Sequence, residues 1–397
     1  MATPSQILPL TGARFIAAFS LLVAHACSVI VFKDTSFYSH FSVPLALFGM
    51  SLFFVLSGFV IHLNYSQLFI SQPRGLAIRI FAVARLARLY PLFIFFVAIA
   101  VTNNLWSELQ TLLPGALLYL PLLQSWFSAN GSTILTLSLP SLAHTWSVST
   151  EVFFYVCFPV LVALLAKWRS AKSCLVGTVG FFILAYVALY ISYRYNSSYL
   201  PFIAPALNPQ QGLYWFAYFS PYTRVFEFIG GVLVAHLFIL MRAMPPSPRE
   251  SVRASRMAIV AALALLGVGI ASGINPNQSI DNYFGFVRRN FISAPAIAYL
   301  LFFAARYESH FQKILSTSAM IRGGDISYSI YLLYPFLLVR FFNPTSPALS
   351  VESVFEWVTR VSCGVAFVII LAQGSYTLVE LPARKWLRAK LEPSLSK

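Results

Sequence analysis

Runs of about twenty apolar residues recur along the whole chain, and no other property of the sequence constrains its fold as strongly. A helix needs roughly 20 mostly apolar residues to cross the hydrocarbon of a bilayer. About ten segments meet that requirement: 13 to 32, 44 to 64, 86 to 104, 147 to 166, 174 to 193, 214 to 241, 257 to 273, 290 to 305, 324 to 342 and 357 to 379. With 58% hydrophobic and only 10% charged residues among 397, the chain carries more apolar surface than one soluble core can cover. The expectation is an all-α integral membrane protein, a bundle of about ten transmembrane helices. An eleventh stretch, 109 to 127, contains Pro114, Gly115 and Pro121 and is expected to be re-entrant or interfacial.

The basic residues orient the bundle, because Lys and Arg concentrate on the cytoplasmic side. With both termini cytoplasmic, 20 of the 27 fall at the inner level, among them Arg14, Arg85, Arg88, Arg249, Arg306, Arg384 and Lys385. Five fall outside (Lys33, Arg194, Arg288, Arg289 and Arg340), and Arg224 and Arg360 lie within spans. Counting 109 to 127 as a full crossing would spoil the pattern. The net charge of +15 is thereby explained by topology. A nucleic-acid binder would gather its basic residues on a soluble module, so no nucleic-acid partner is expected, whereas membrane lipids are.

Cys27, Cys157, Cys174 and Cys363 show neither metal nor redox spacing, so no metal is expected. No extramembrane stretch is long enough to be a domain, and residues 1 to 397 are read as one transmembrane domain with no appended soluble one.

Ionisable groups inside spans cost a few kcal/mol on insertion scales and are functional-site candidates by default. They are Arg14 and His25 on the first span, His62, Glu151, Arg224 and Glu227, Asp325 and Glu380. Arg14 and His25, eleven residues apart, share one helical face about 16 Å apart along the axis. Opposite chain directions place His25 and Glu151 together in the outer half. A carboxylate accepting from one imidazole nitrogen leaves the other free to take a proton, as a general base requires. Ser147, Glu151 and Tyr155 follow at i, i+4, i+8 and form a polar stripe.

The motifs "LTGARFIAAFSLLVAHA", "LFFVLSGFVI", "RLARLYPLF", "HTWSVSTEVFFYVCFP", "RVFEFIGGVL", "GDISYSIYLL" and "YTLVELPARKWL" resemble, in this order and over the whole chain, the membrane-bound acyltransferase family 3. That family contains bacterial O-acyltransferases of surface polysaccharides and other glycans. The resemblance implies a multi-pass protein of the bacterial inner membrane that moves an acyl group from cytoplasmic acyl-CoA, usually acetyl-CoA, to a hydroxyl of a glycan or lipid-linked saccharide. It assigns functional positions to Arg14, His25 and Glu151. Arg14, Arg85 and Arg88 would then hold the anionic donor. His144, Trp146, Ser147 and Tyr155 are the candidate acceptor contacts, and Trp126 and Trp215 are further candidates to stack on sugars. His25 either deprotonates the acceptor or carries the acyl group.

The chain departs from the usual family pattern at Ser51, where many members carry Asp, and at Tyr334, where many carry His, so neither ionisable group is essential here. Val152 and Phe153 follow Glu151 in place of an acidic residue and Gln. Plain structural roles compete with the functional ones: snorkelling for Arg14, a helix-to-helix hydrogen bond for His25, and a bundle-bracing pair for Arg224 and Glu227. Two other readings of the chain are a transporter or flippase of a lipid-linked saccharide and a non-catalytic scaffold among glycan-assembly proteins. A homo-oligomer is compatible with all three.

Overall fold

The computed structural model describes residues 7–30, 35–103, 120–128, 143–205, 207–274, 280, 282–342 and 353–391, and within these every regular element is helical. Helical backbone satisfies its own polar groups, which hydrocarbon demands. The elements are α1 (Leu8–Val29), α2 (Thr35–Ser71), α3 (Arg74–Asn103) and, after a short 3₁₀ turn, α4 (Trp146–Leu165). Then come α5 (Ala171–Arg194), α6 (Asn196–Ile203), α7 (Pro209–Tyr214), which runs on as a π-helical turn over Trp215–Phe219, and α8 (Pro221–Met241). The rest are α9 (Pro248–Ile274), α10 (Tyr283–Val287), α11 (Ala294–Arg306), α12 (His310–Leu315), α13 (Ser318–Asp325) and α14 (Ser327–Phe342). α15 (Val354–Ser375) continues through a π-helical turn at Tyr376–Glu380 into α16 (Leu381–Leu391).

Among the described residues eight helices are long and apolar enough to cross a membrane, and a ninth span results if α13 and α14, bent by 65° at their junction, count as one. The expected span at 290 to 305 is the principal difference. Turns occupy 288–293, Ser293 is the N-cap and a proline stands in the first helical turn. The helix that follows has 13 residues, about 20 Å, well short of a hydrocarbon core of roughly 30 Å. Most of the eleventh apolar stretch lies outside the described residues. Its final part, 120 to 127, is a run of turns docked on the start of α4, with the Ser125 amide donating to Ser149 Oγ at 3.1 Å and Trp126 Nε1 to the Ser149 carbonyl at 3.1 Å.

The bundle is centred on α1, α2 and α8. α2 and α8 meet backbone to backbone: a β-carbon on Gly58 would overlap the Phe228 carbonyl, and one on Gly231 would overlap the Val55 carbonyl. Small residues at such a crossing let helices approach where the solvent is lipid. Termini are capped where sequence supplies a cap. Asn208 and Gln211 form a reciprocal capping box on α7, and Ser353 accepts from the Glu356 amide on α15.

Candidate active site

Five helices bring polar side chains to one cavity of about 70 Å³ inside the apolar bundle. α1 supplies Arg14, α2 Ser57, α3 Arg85 and Arg88, α4 Ser147 and Glu151, and α14 Ser327, Tyr328 and Tyr331. Three guanidiniums against one carboxylate make the lining cationic. At about 10 to 15 Å³ of such volume per water the space holds a few waters, or one small group.

Glu151 Oε1 accepts from Tyr155 Oη at 2.7 Å and from Ser57 Oγ at 3.1 Å. The i, i+4 stripe on α4 thus works as one unit: Tyr155, one turn on, fixes the carboxylate's rotamer. Arg85 is 6% exposed. Its Nη2 donates to Tyr65 Oη at 2.5 Å, and its guanidinium lies 4.5 Å from the centre of the Tyr65 ring, a cation–π contact strengthened by exclusion of water. Arg85 is therefore tied in place by α2 rather than snorkelling to a headgroup.

His25 is held differently from the expectation. Its Nδ1 lies 2.8 Å from the Leu21 carbonyl; a carbonyl only accepts, so Nδ1 carries the proton and the lone pair is on Nε2. Glu151 takes no part in this, since its own bonds run to Ser57 and Tyr155, and the expected pairing of His25 with Glu151 is not formed. The His25 ring is 4.8 Å from that of Tyr334, which in turn lies 5.9 Å from Tyr331 on the cavity wall. Rotation about the helix axis, which aims His25 at α14, was not readable in the sequence.

The proposed acceptor contacts divide. Ser147 reaches the cavity, 2.5 Å from Tyr331 Oη. Both hydroxyls also reach the His144 carbonyl, Tyr331 Oη at 2.7 Å and Ser147 Oγ at 3.3 Å, so the three form one shared network. His144 is 7% exposed, and its ring lies 5.4 Å from that of Tyr331 and 5.8 Å from that of Tyr334. Trp146 and Trp215, 5% and 2% exposed, are core residues and correct the idea that they present open faces to a sugar. The indole of Trp146 packs on Tyr218 and Phe219 and lies 5.5 Å from the guanidinium of Arg224. Trp126 spends its indole N–H on the Ser149 carbonyl.

Arg224 and Glu227 form a fully buried ion pair at 3.1 Å. Arg224 Nε also donates to the Tyr218 carbonyl at 2.9 Å, so the pair ties α8 to the π-helical turn before it, as a brace would. His62 and His236 also pair: His236 Nε2 donates to the Trp168 carbonyl at 2.9 Å, and its Nδ1 accepts from His62 Nε2 at 3.0 Å, which leaves His62 Nδ1 buried without a partner among the described residues. The sequence reading missed Ser57, Tyr65, Tyr328, Tyr331 and Tyr334 as members of the site. A serine in the otherwise apolar "FFVLSGFVI" and the repeated tyrosines of "SYSIYLLY" were the available signals.

A family profile described as an acyltransferase domain matches residues 8–376. The chain belongs to the acyltransferase 3 family. It is 26% identical over 351 residues to a peptidoglycan O-acetyltransferase, OatA, of Listeria monocytogenes, covering 85% of this chain and 51% of that protein. To the acyltransferase MdmB of Streptomyces mycarofaciens it is 26% identical over 346 residues, covering 84% of this chain and 79% of that one. This acyltransferase thus spans about half the length of the first relative and most of the second. No solved structure matches it. Its many apolar helices and its family make it a multi-pass membrane protein.

Proposed function

We propose that this acyltransferase is an O-acetyltransferase of a bacterial inner membrane, moving an acetyl group from cytoplasmic acetyl-CoA to a hydroxyl of a surface or secreted glycan. The observation that carries the reading is the cationic cavity in which Arg14, Arg85 and Arg88 face Glu151 within an apolar bundle. The guanidiniums suit the phosphates of a nucleotide donor. A cavity of about 70 Å³ is too small for the nucleotide itself, so the donor's phosphates would engage the arginines from the cavity mouth and its acyl end alone would reach inward. His25, with its Nε2 lone pair free, is the base toward the acceptor hydroxyl. Glu151, held by Tyr155 and Ser57, balances the arginines and orients the polar lining. The similarity to a peptidoglycan O-acetyltransferase supports both the acetyl group and a glycan acceptor.

The test is a strain lacking the gene, complemented with the wild type or His25→Ala at matched membrane levels. O-acetyl groups on total surface and secreted glycan are scored by NMR, and free CoA thiol release is followed in membranes supplied with acetyl-CoA. Acetylation restored by the wild type and not by the variant supports the proposal. A change in glycan abundance at constant acetyl content per sugar refutes it in favour of transport.

A further inference from the structure

A second concavity, a groove of about 750 Å³, lies between the first half of α2, the second half of α9 and α11. It is larger than the acyltransferase cavity and shares no lining residue with it. Of the eight candidate spans, α9 has the smallest buried share, so this flank of the bundle faces lipid.

The groove is chemically graded. Along most of its length it is lined by Phe48, Leu265, Leu266 and Gly269, and at one end by His40, Ser272 and Arg288. Arg288 is only 3% exposed, with Nη1 donating to the Ser272 carbonyl at 3.3 Å. His40 Nδ1 is hydrogen-bonded to the neighbouring Gly273 carbonyl. Burial, and then Arg289 beside it, push the Arg288 guanidinium down to about 10, which leaves it cationic at neutral pH. Arg289 is not in the lining; its guanidinium lies 5.3 Å from the ring of Tyr214, so Arg288 is the cation that the groove presents. From Ser272 the lining follows α9 back to Ala262, ten residues or about 15 Å, half of a hydrocarbon core of roughly 30 Å. Its volume lies within the ordinary range of ligand sites, roughly 300 to 1,000 Å³. A cationic end joined to an apolar channel one leaflet deep complements an anionic amphiphile, and a bilayer facing this flank supplies one.

We propose that the groove between α2, α9 and α11 is a lipid site that seats an acyl chain of an anionic phospholipid, with the phosphate against Arg288. The site is separate from the reaction and stands whether or not the acetyl-transfer reading does. A seated phospholipid fills the space between α9 and the rest of the bundle.

The full chain purified in neutral detergent is mixed with phosphatidylglycerol or phosphatidylcholine of the same acyl length. Retained lipid is counted by native mass spectrometry, and the thermal midpoint is followed against lipid concentration. In the wild type phosphatidylglycerol is retained in preference, and the midpoint rises with its concentration, as linkage requires. Arg288→Gln loses the preference between headgroups. Gly269→Leu loses retention of both lipids, and because a β-carbon there meets no atom within 4 Å, its midpoint in detergent alone stays at the wild-type value. If Arg288→Gln fails to fold, Gly269→Leu decides. Equal retention of the two lipids by the wild type, or undiminished phosphatidylglycerol retention by Gly269→Leu, overturns the proposal. A larger shift with a polyprenyl phosphate than with phosphatidylglycerol overturns the phospholipid assignment.

Discussion

Replacing Glu151 by Gln keeps the shape of the side chain and removes its charge from among three guanidiniums. The amide oxygen still accepts from Tyr155 and Ser57, now at 2.7 and 3.1 Å from the carboxylate, so the rotamer should hold. A hydrogen bond to a charged group is worth about 1.5 to 3 kcal/mol and a neutral one about 0.5 to 1.5. Weakening two bonds therefore costs about 2 to 3 kcal/mol. If that energy is expressed in the transition state, turnover falls about 30- to 150-fold at 1.36 kcal/mol per decade. If Glu151 also takes part in proton transfer, the loss lies in the range of about 10²- to 10⁴-fold. Neutralisation raises the net positive charge facing the donor, so KM for acetyl-CoA stays level or falls while kcat drops. Release of CoA thiol by membranes containing matched amounts of each protein, with acceptor present, measures both constants. A kcat near the wild-type value would remove Glu151 from the mechanism, and a raised KM at unchanged kcat would make it a donor contact instead.

His25→Asn keeps an amide N–H able to reach the Leu21 carbonyl but has no basic lone pair. Transfer should fall by about 10²- to 10⁴-fold with the thermal midpoint in detergent near the wild-type value. Arg85→Gln should raise KM for acetyl-CoA about tenfold, or 1.4 kcal/mol, with a smaller effect on kcat, as read in the same thiol assay. Arg224→Met leaves Glu227 as an unpaired buried charge and should cost about 3 to 5 kcal/mol of stability. Adding Glu227→Leu to it should recover most of the loss in a thermal melt, and a double variant no better than the single one would show that Arg224 acts through something other than its partner.

The helices were legible wherever a long apolar run had no interruption. α1, α4, α5, α8 and α15 lie close to where the sequence puts them, because apolar length is what a bilayer selects. The segment at 290 to 305 misled for a local reason: Phe291 and Ile292, in the turn before Ser293, are as apolar as the helix after them and lengthen its apparent run. In the site, the residues that carry charge stood out against an apolar background, and Arg14, Arg85, Arg88 and Glu151 do share one cavity. Their pairing was not legible. Spans that are apolar around most of their circumference leave no amphipathic pattern from which rotation can be read, so neither the turn of His25 toward Tyr334 nor the burial of Trp146 under Arg224 was visible. Tyrosines were overlooked because they also belong to interfacial belts.

The two charged groups of α8 stand one turn apart on the same helix, whereas Arg14 faces a cavity completed by helices that follow it in the chain. During biosynthesis this separates their fates. Arg224 and Glu227 neutralise each other as soon as α8 winds up, so a segment with two ions can leave the translocon as a paired unit, although each alone costs about 2.5 to 3.5 kcal/mol at a helix centre. Arg14 has no such companion on α1, so its head is drawn toward the nearer membrane surface when α1 enters lipid. Its cavity is walled by α14 as well as by α2, α3 and α4, which makes completion of the cationic cavity a late event in the maturation of the protein.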